Sequence, residues 1–247
     1  MPRQDFTSHR LFVDFALGAG LPGALDREQA NYLINVLRLG IGAEILLFNG
    51  RDGEWRARIV ETTKRNCVVE GVRQVRDQTT PSDIWYCFAP LKSARLDYIV
   101  QKAVEMGAGR ILPVLTRHTQ VSRLNLDRLQ ANVIEAAEQC GVLSMPETEE
   151  AIRFDRFLER CGLERGLIFC DEDAEITDPV AVLRDLKPGP VAVIIGPEGG
   201  FSEEERQMLL ARAGTLRLSL GPRILRADTA GVAALALVQA VCGDWRR

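Results

Sequence analysis

Histidine is scarce in this 247-residue sequence, and cysteine shows no metal-binding pattern. There are only two histidines, and the six cysteines form no C-x-x-C pair and have no regular spacing. Zinc sites and disulfide frameworks depend on such spacings, so we expect neither. The pattern favours reduced thiols, as in a cytoplasmic protein, and predicts no metal requirement.

Long apolar segments are missing as well. The sequence begins Met-Pro-Arg-Gln-Asp, without the apolar core of a signal peptide. The longest apolar run, at 230–238, is well short of the roughly 20 residues that span a membrane. We therefore expect a soluble protein without membrane contact. Apolar residues make up 46% of the chain, enough for the core of one large domain or of two ordinary ones.

Charge of one sign is not in strong excess. The formal net charge is −3, with +2 in residues 1–76 and −5 in the remainder. The small basic excess of the first third hints at nucleic-acid contact, although solvated surface charge explains it about as well.

Two different patterns divide the chain. Residues 1–76 contain short strands and one helix, at 27–38, with Asp26 as its N-cap, which predicts a small β-barrel domain. A polar linker is expected at 77–82. From 77 to 247 strands and helices alternate, which predicts a mostly parallel sheet with helices on both faces. The predicted strands are 10–13, 43–49, 54–62, 67–75, 84–89, 111–115, 167–170, 191–195 and 216–220, and the later helices are 94–106, 125–140, 178–186, 203–213 and 228–242.

The most informative stretch is an apolar strand at 191–195 that ends in the turn Gly196-Pro-Glu-Gly-Gly200. Open α/β sheets bind ligands at the carboxyl ends of their strands. Glu198 would repel a polyphosphate, and the Lys-Ser/Thr pair of a P-loop does not follow the turn. The turn therefore predicts a site for a neutral or cationic small molecule, where Gly199→Val would block close approach of the backbone.

Two other segments contain glycine, and only the second predicts a ligand-binding loop. Residues 18–23 match G-x-G-x-x-G, but Pro22 and the short flanks indicate a loop of the barrel and not a dinucleotide site. Residues 218–230 run from a strand through a Gly-Pro turn into a helix, so this loop and the first could converge on one ligand. The alternative is an ordinary charged connection, but such a connection does not require both Arg223 and Arg226.

These two loops resemble those of the RsmE family of 16S ribosomal RNA uridine N3-methyltransferases, members of the SPOUT class. The resemblance rests on Gly196–Gly200, on Leu220-Gly-Pro-Arg-Ile-Leu-Arg226 and on Asp228-Thr-Ala230. It extends over nearly the whole chain through 10–13, 32–38, Lys92, 101–107, Pro113, 116–117 and 135–139.

The resemblance implies a PUA-like RNA-binding β-barrel at 1–76 and a SPOUT methyltransferase domain at 77–247, with its sheet tied into a C-terminal trefoil knot. It also implies a homodimer that binds S-adenosylmethionine, held mainly by backbone groups. The sulfonium cation of this cofactor agrees with the ligand preference argued from Glu198. By position, the cofactor-binding residues are Cys170, Asp171, Gly196, Pro197, Glu198, Gly199, Gly200, Leu218, Leu220, Gly221, Ile224, Leu225, Thr229 and Ala230.

Uridine N3 becomes a nucleophile only as its proton leaves and charge spreads onto the flanking carbonyls. A cation near those carbonyls would stabilise the anion, and Arg226 is the first candidate, followed by Arg223 and Arg117. Asp228 and Glu198 are the candidate proton acceptors, although either could instead cap a helix or hold an arginine. Direct displacement otherwise requires mainly alignment of the reacting atoms.

The implied substrate is 16S ribosomal RNA in the small ribosomal subunit. Phosphate contacts are expected from Arg10 and Arg38 in the barrel and from Lys92, Lys102 and Arg117 in the second domain. Lys102 could equally form a solvated pair with Glu105. For His118, contact with RNA phosphate or a surface position is favoured over general-base catalysis.

At three positions the sequence differs from the family's usual residues. The family usually has His at the position of Asn31, Arg near Val142 and Glu at the position of Asp228. These differences keep two alternatives open: a SPOUT methyltransferase that acts on another RNA or on a ribose 2′-hydroxyl, and an RNA-binding assembly factor without catalysis.

Overall fold

The computed structural model describes residues 8–63, 66–121 and 123–246. They form two compact units, one with residues up to Thr80 together with Ala137–Met145, the other with Pro81–Ala136 and the residues from Pro146 onward. The return of 137–145 to the first unit leaves no trace in the alternation of strands and helices along the sequence. Residues 1–7, and with them the expected absence of a signal peptide, lie outside the described residues.

The first unit is built on a five-stranded sheet in the order β1-β3-β4-β5-β2. Strand β1 runs parallel to β3, and the other neighbours are antiparallel. Four of the strands were predicted; the fifth, β2, forms part of the glycine segment 18–23, which was expected to be a loop. The strands are β1 Arg10–Phe12, β2 Pro22–Ala24, β3 Glu44–Phe48, β4 Glu54–Thr62 and β5 Cys67–Arg76.

The predicted helix at 27–38 is shorter and less regular than expected. Helix α1 (Arg27–Asn31) begins at the predicted N-cap Asp26, and a π-helical turn follows over Tyr32–Val36. The amide of Leu37 donates to the carbonyl of Tyr32, five residues earlier, at 2.9 Å. The apolar spacing used to predict this helix does not distinguish the wider π-turn from a continuing α-helix.

The second unit contains a sheet in the order β12-β10-β11-β6-β7-β8, with every neighbouring pair parallel. Strand β9 pairs separately with β7. The predicted α/β class is therefore confirmed. The strands are β6 Ile84–Phe88, β7 Arg110–Leu115, β8 Glu147–Thr148, β9 Ile152–Arg153, β10 Gly166–Cys170, β11 Val191–Ile195 and β12 Thr215–Leu218. The helices are α2 Ser93–Glu105, α3 Leu126–Cys140, α4 Phe154–Cys161, α5 Pro179–Arg184, α6 Glu203–Ala211 and α7 Ala227–Val241, and the last residues of α3, from Ala137 on, belong to the first unit.

The sequence patterns missed four short elements of the second unit: β8, β9, α4 and a 3₁₀ turn at Asp244–Arg246. Helix α4 has eight residues, and its buried side chains are Phe154, Phe157 and Cys161. Two turns of helix contain too few residues for a reliable apolar period, and burial against the sheet stabilises such a short helix.

The strand order brings the candidate loops together. Strand β10 lies between β11 and β12, with Phe169 beside Ile194 and Cys170 beside Leu218. The loops that follow these three parallel strands therefore start side by side at one edge of the sheet. The trefoil knot stays a prediction of the family resemblance.

Of the helices in the described part, none combines the length and the apolar content needed to cross a membrane. Across residues 8–63, 66–121 and 123–246, no group of three or more His, Cys, Asp or Glu side chains is arranged to hold a metal ion.

Candidate functional site

A cavity of about 540 Å³ lies in the second unit at the carboxyl ends of β10, β11 and β12. Three loops line it, and they follow those strands. Of the residues predicted to bind the cofactor, Gly199 and Thr229 are not in the lining. The other twelve predicted residues line the cavity: Cys170, Asp171, Gly196, Pro197, Glu198, Gly200, Leu218, Leu220, Gly221, Ile224, Leu225 and Ala230.

The turn after β11 depends on glycine at two positions. Gly200 has φ +70°, a left-handed conformation that other residues adopt only at a cost, and its amide donates to the carbonyl of Pro197 at 2.9 Å. A Cβ on Gly196 would lie 2.7 Å from the ring of Phe201. That ring packs edge-on against Phe169, with centroids 5.4 Å apart, and anchors the end of the turn in the core.

Gly199 has more space around it than Gly196 and Gly200. A Cβ there would meet only His118, at an ordinary contact distance of 3.6 Å, and the residue does not line the cavity. The expectation that Gly199→Val blocks backbone approach to a ligand is therefore not supported. Gly196 and Gly200 are the positions where a side chain would disturb the cavity wall.

Glu198 forms an ion pair with Arg95 of helix α2, and both residues line the cavity. The sequence left three possible partners for this carboxylate: cofactor, uridine or a neighbouring arginine. The structure shows the arginine. Nothing in the sequence around Arg95 singles it out, because the pairing joins a helix to a turn far along the chain.

Asp171 is a buried carboxylate that joins the first loop to helix α6 and strand β12. It accepts hydrogen bonds from Arg206 at 3.1 Å and from Arg217 at 2.5 Å, and its own amide donates to the carbonyl of Leu218 at 3.1 Å. Its hydrogen bond with Arg206 raises the pKa of that guanidinium. Asp171 therefore holds the shape of the cavity wall, with two arginines that the sequence did not identify.

Cys170 lines the cavity as a neutral thiol. Burial, with a smaller contribution from the charge of Asp171, raises the pKa of Cys170 to about 12. Because the thiolate is the nucleophilic form, this cysteine contributes a small apolar surface and not a reactive group.

The predicted catalytic residues separate into two groups. Arg223 and Arg226 line the cavity with exposed side chains, and Arg226 is the N-cap residue of helix α7. Asp228 lies in the first turn of this helix, outside the cavity lining, and its carboxylate accepts a hydrogen bond from the amide of Thr229 at 2.8 Å. Of the two proposed proton acceptors, only Glu198 lines the cavity.

The charges around the cavity are of both signs. Glu172 and Asp173, in the first loop, give the cavity wall negative charge. Arg223 and Arg226, in the third loop, give it positive charge. Such a wall does not favour a polyanion, in agreement with the ligand preference deduced from Glu198.

The predicted RNA-binding residues differ in accessibility. Arg38, Lys92 and Arg117 are exposed, and Arg38 has φ +56°, the one left-handed non-glycine residue in the described ranges. Lys102 forms an ion pair with Glu105 at 2.5 Å, which was the alternative considered for it.

Arg10 needs a correction, because its guanidinium is buried inside the first unit. It pairs with Glu54, stacks 4.0 Å above the ring centroid of Phe48 and donates to the carbonyl of Val142 at 3.0 Å. The side chain is only 7% exposed. It stabilises the first unit and is not available to an RNA phosphate.

Comparison with known proteins gives the same picture for both parts of the chain. Residues 78–239 match the family model of an RNA methyltransferase domain, and residues 25–70 match that of an RNA methyltransferase PUA domain. The ribosomal RNA small subunit methyltransferase E of Rickettsia conorii is 33% identical over 213 residues, covering 86% of each chain.

Two solved structures share the fold over almost the full length. Ribosomal RNA small subunit methyltransferase E from Neisseria gonorrhoeae, bound to S-adenosylmethionine, has a TM-score of 0.86 at 28% identity and covers 96% of this chain and 99% of its own. A Legionella pneumophila protein, also in complex with that cofactor, has a TM-score of 0.83 at 31% identity with the same coverage. The predicted resemblance is confirmed: the chain belongs to the ribosomal RNA small subunit methyltransferase E family.

Proposed function

We propose that this protein transfers the methyl group of S-adenosylmethionine to N3 of a uridine in 16S ribosomal RNA, within the small ribosomal subunit. The observation that carries this proposal is the cavity at the ends of β10, β11 and β12. Twelve of the fourteen positions that the family resemblance assigned to the cofactor line it. The proposed substrate places the activity in the cytoplasm.

The residues of the cavity fit S-adenosylmethionine. The volume of the cavity lies in the usual range for small-molecule sites. Apolar side chains such as Leu218 and Leu225 suit an adenine ring, while Glu172 and Asp173 suit the cationic amino group and the ribose hydroxyls. The turn around Gly200 presents backbone groups with no side chain between them and the ligand.

The bound cofactor supplies an electrophilic methyl group on a sulfonium. The protein aligns the uridine with that methyl group and stabilises the charge that develops on the uracil carbonyls. Arg226 and Arg223 are the candidates for this stabilisation because both guanidiniums lie in the third loop of the cavity wall. Glu198 is the better candidate for the proton acceptor, since Asp228 lies outside the cavity lining. The ion pair between Glu198 and Arg95 would open as the uridine enters.

RNA contact is proposed for exposed cations of each unit. In the second unit these residues are Lys92 and Arg117. In the first unit, where residues 25–70 match the PUA domain, the residue is Arg38. Such contacts neutralise phosphates and make binding weaken steeply with salt. Arg38 lies two residues after a π-helical turn, and its left-handed backbone is the kind of strained geometry that is often retained at functional sites.

A homodimer is proposed as the active unit. Helix α7 is apolar on nearly all of its faces, yet Val232, Ala236 and Leu237 are only partly buried and Ala240 is exposed. An apolar helix of this kind is normally buried, so a second copy of the chain would cover the remaining face. Light scattering at working concentration tests this, and a monomer would contradict it.

The function is tested with purified protein, S-adenosylmethionine and either small ribosomal subunits or free 16S ribosomal RNA. Mass spectrometry of the digested RNA should detect 3-methyluridine, with subunits as the better substrate. A 2′-O-methyl nucleoside in place of 3-methyluridine would contradict the proposed site of methylation. Methylation of another RNA would contradict the proposed substrate. Saturable RNA binding without detectable cofactor binding in calorimetry would instead support an assembly factor.

The role of Arg226 is tested by Arg226→Ala with Arg226→Lys as the control that keeps a positive charge. Loss of transition-state stabilisation should lower kcat at least tenfold while the affinity for S-adenosylmethionine changes about threefold or less. A loss confined to cofactor binding would contradict the assigned role.

A further inference from the structure

A compact turn, residues 116–119, follows strand β7 and reaches the glycine turn 196–200. The amide of Thr116 donates to Oγ1 of Thr119 at 2.9 Å, and the two hydroxyls lie 2.9 Å apart. The amide of Thr119 donates back to the carbonyl of Thr116 at 3.1 Å. These bonds fix the direction in which the side chain of His118, between them, leaves the backbone.

A second contact ties this turn to helix α6. The amide of Arg117 donates to Oε1 of Glu205 at 2.7 Å, while Oε2 of the same carboxylate accepts from the amide of Ser202 at 2.9 Å. Glu205 is buried, and its carboxylate closes the capping box at the start of α6. The 116–119 turn is therefore attached to the helix that begins directly after the glycine turn.

The imidazole of His118 contacts the glycine turn itself. Its Nδ1 lies 3.2 Å from the carbonyl oxygen of Gly199 and 3.1 Å from that of Gly200. A carbonyl only accepts, so Nδ1 carries the proton and donates to both oxygens. Because a peptide unit is planar, fixing these oxygens also fixes the orientation of the amides that follow Gly199 and Gly200.

Gly200 is the residue for which this restraint matters most. It lines the cavity and has a left-handed backbone conformation, whereas a glycine samples several conformations when nothing holds it. Phe201 anchors one end of the glycine turn in the core. His118 restrains its tip, where Arg95 provides an ion pair to Glu198.

We propose that His118 is a positioning residue that holds the glycine turn in the conformation that binds the cofactor. The proposal rests on the proposed function for the identity of that cofactor, but the restraint itself exists without a ligand. In this arrangement His118 neither touches the reacting atoms nor acts as a base. The exposed side chain of the adjacent Arg117 means that any RNA docked there would meet a turn physically linked to the cofactor site.

The test compares His118→Ala, His118→Asn and Gln120→Ala with the unchanged protein. Asparagine keeps a nitrogen donor close to the position of Nδ1, and Gln120 is an exposed residue near the same turn. Titration calorimetry with S-adenosylmethionine should show about three- to tenfold weaker binding for His118→Ala, because the hydrogen bond that Nδ1 shares between two carbonyls is lost at an exposed site. His118→Asn should recover most of this loss, and Gln120→Ala should bind normally. In turnover assays the effect should fall on the KM for the cofactor and leave kcat nearly unchanged.

Hydrogen exchange of the cofactor-free proteins provides a second measurement. In His118→Ala the amides of 198–202 should exchange several times faster than in the unchanged protein, including the Gly200 amide that donates to the carbonyl of Pro197. Unchanged exchange and unchanged cofactor affinity would overturn the proposal, and weaker RNA binding in the same variant would then assign His118 to phosphate contact. If the unchanged protein did not bind S-adenosylmethionine, the proposed function would fail while the exchange data would still decide the role of His118.

Discussion

The guanidinium of Arg95, in helix α2, forms an ion pair with the carboxylate of Glu198, in the turn that follows β11. The side chains are 39% and 52% exposed, so water screens the pair and limits its contribution to folding. Its main effect is on the glycine turn, because it fixes the one charged side chain there against a helix.

A double-mutant cycle with Arg95→Ala, Glu198→Ala and the combined variant measures this pair. Each single change should lower the free energy of unfolding by less than about 1 kcal/mol, and the coupling between them should be about 0.2 to 1 kcal/mol. Urea unfolding gives these values. A coupling energy of zero would mean that the pair contributes nothing to the restraint of the turn.

Gly200→Ala should damage the cavity while Gly199→Ala should not. Alanine at position 200 would have to adopt φ +70° with its Cβ 3.0 Å from Oε1 of Glu172, whereas at 199 the nearest atom is 3.6 Å away. We expect a loss of about 1 to 2 kcal/mol in the free energy of unfolding for Gly200→Ala, and weaker cofactor binding. Thermal unfolding and calorimetry of both variants provide the comparison, and equal effects would contradict the assignment.

Asp171→Asn should destabilise the second unit. The substitution removes a charge that is 4% exposed. It leaves Arg217 without its carboxylate partner and Arg206 with only the carboxylate of Asp173, 3.8 Å away. Because both arginines are partly exposed and can hydrate again, we expect a loss of about 1 to 3 kcal/mol. Asp173→Asn is the control, since that side chain is 73% exposed, and it should change the free energy of unfolding by less than about 0.5 kcal/mol.

Much of the second unit could be predicted because local signals agree with the tertiary structure. Strand β11 has the predicted bounds, 191–195, where five buried apolar residues lie between Pro190 and Gly196. Helix α6 begins at Glu203, the first residue of the helix predicted at 203–213, and its N-cap Ser202 forms a capping box with Glu205. Such signals depend only on residues a few positions apart, so they can be recognised in the sequence without knowledge of the tertiary structure.

The remaining features depend on residues that are distant in sequence. Arg95 and Arg206 contribute to the site through carboxylates of other elements, and no spacing indicates these pairs. Arg10 was expected to contact RNA phosphate, yet its guanidinium is buried beside Glu54 and Phe48, which stabilise it there.

Cys170 should resist alkylation in the native protein, whereas Cys242 should react. Both thiols have a pKa raised by burial, but only that of Cys170 reaches about 12, so at about pH 8 almost no thiolate forms there. Cys242 is exposed near the carboxyl end. Iodoacetamide labelling at about pH 8, followed by peptide mass spectrometry, should therefore modify Cys242 well before Cys170. In urea both should react at similar rates, which controls for intrinsic reactivity. Fast native labelling of Cys170 would mean that its thiol ionises in the cavity, and the neutral, apolar contribution argued for this residue would then be wrong.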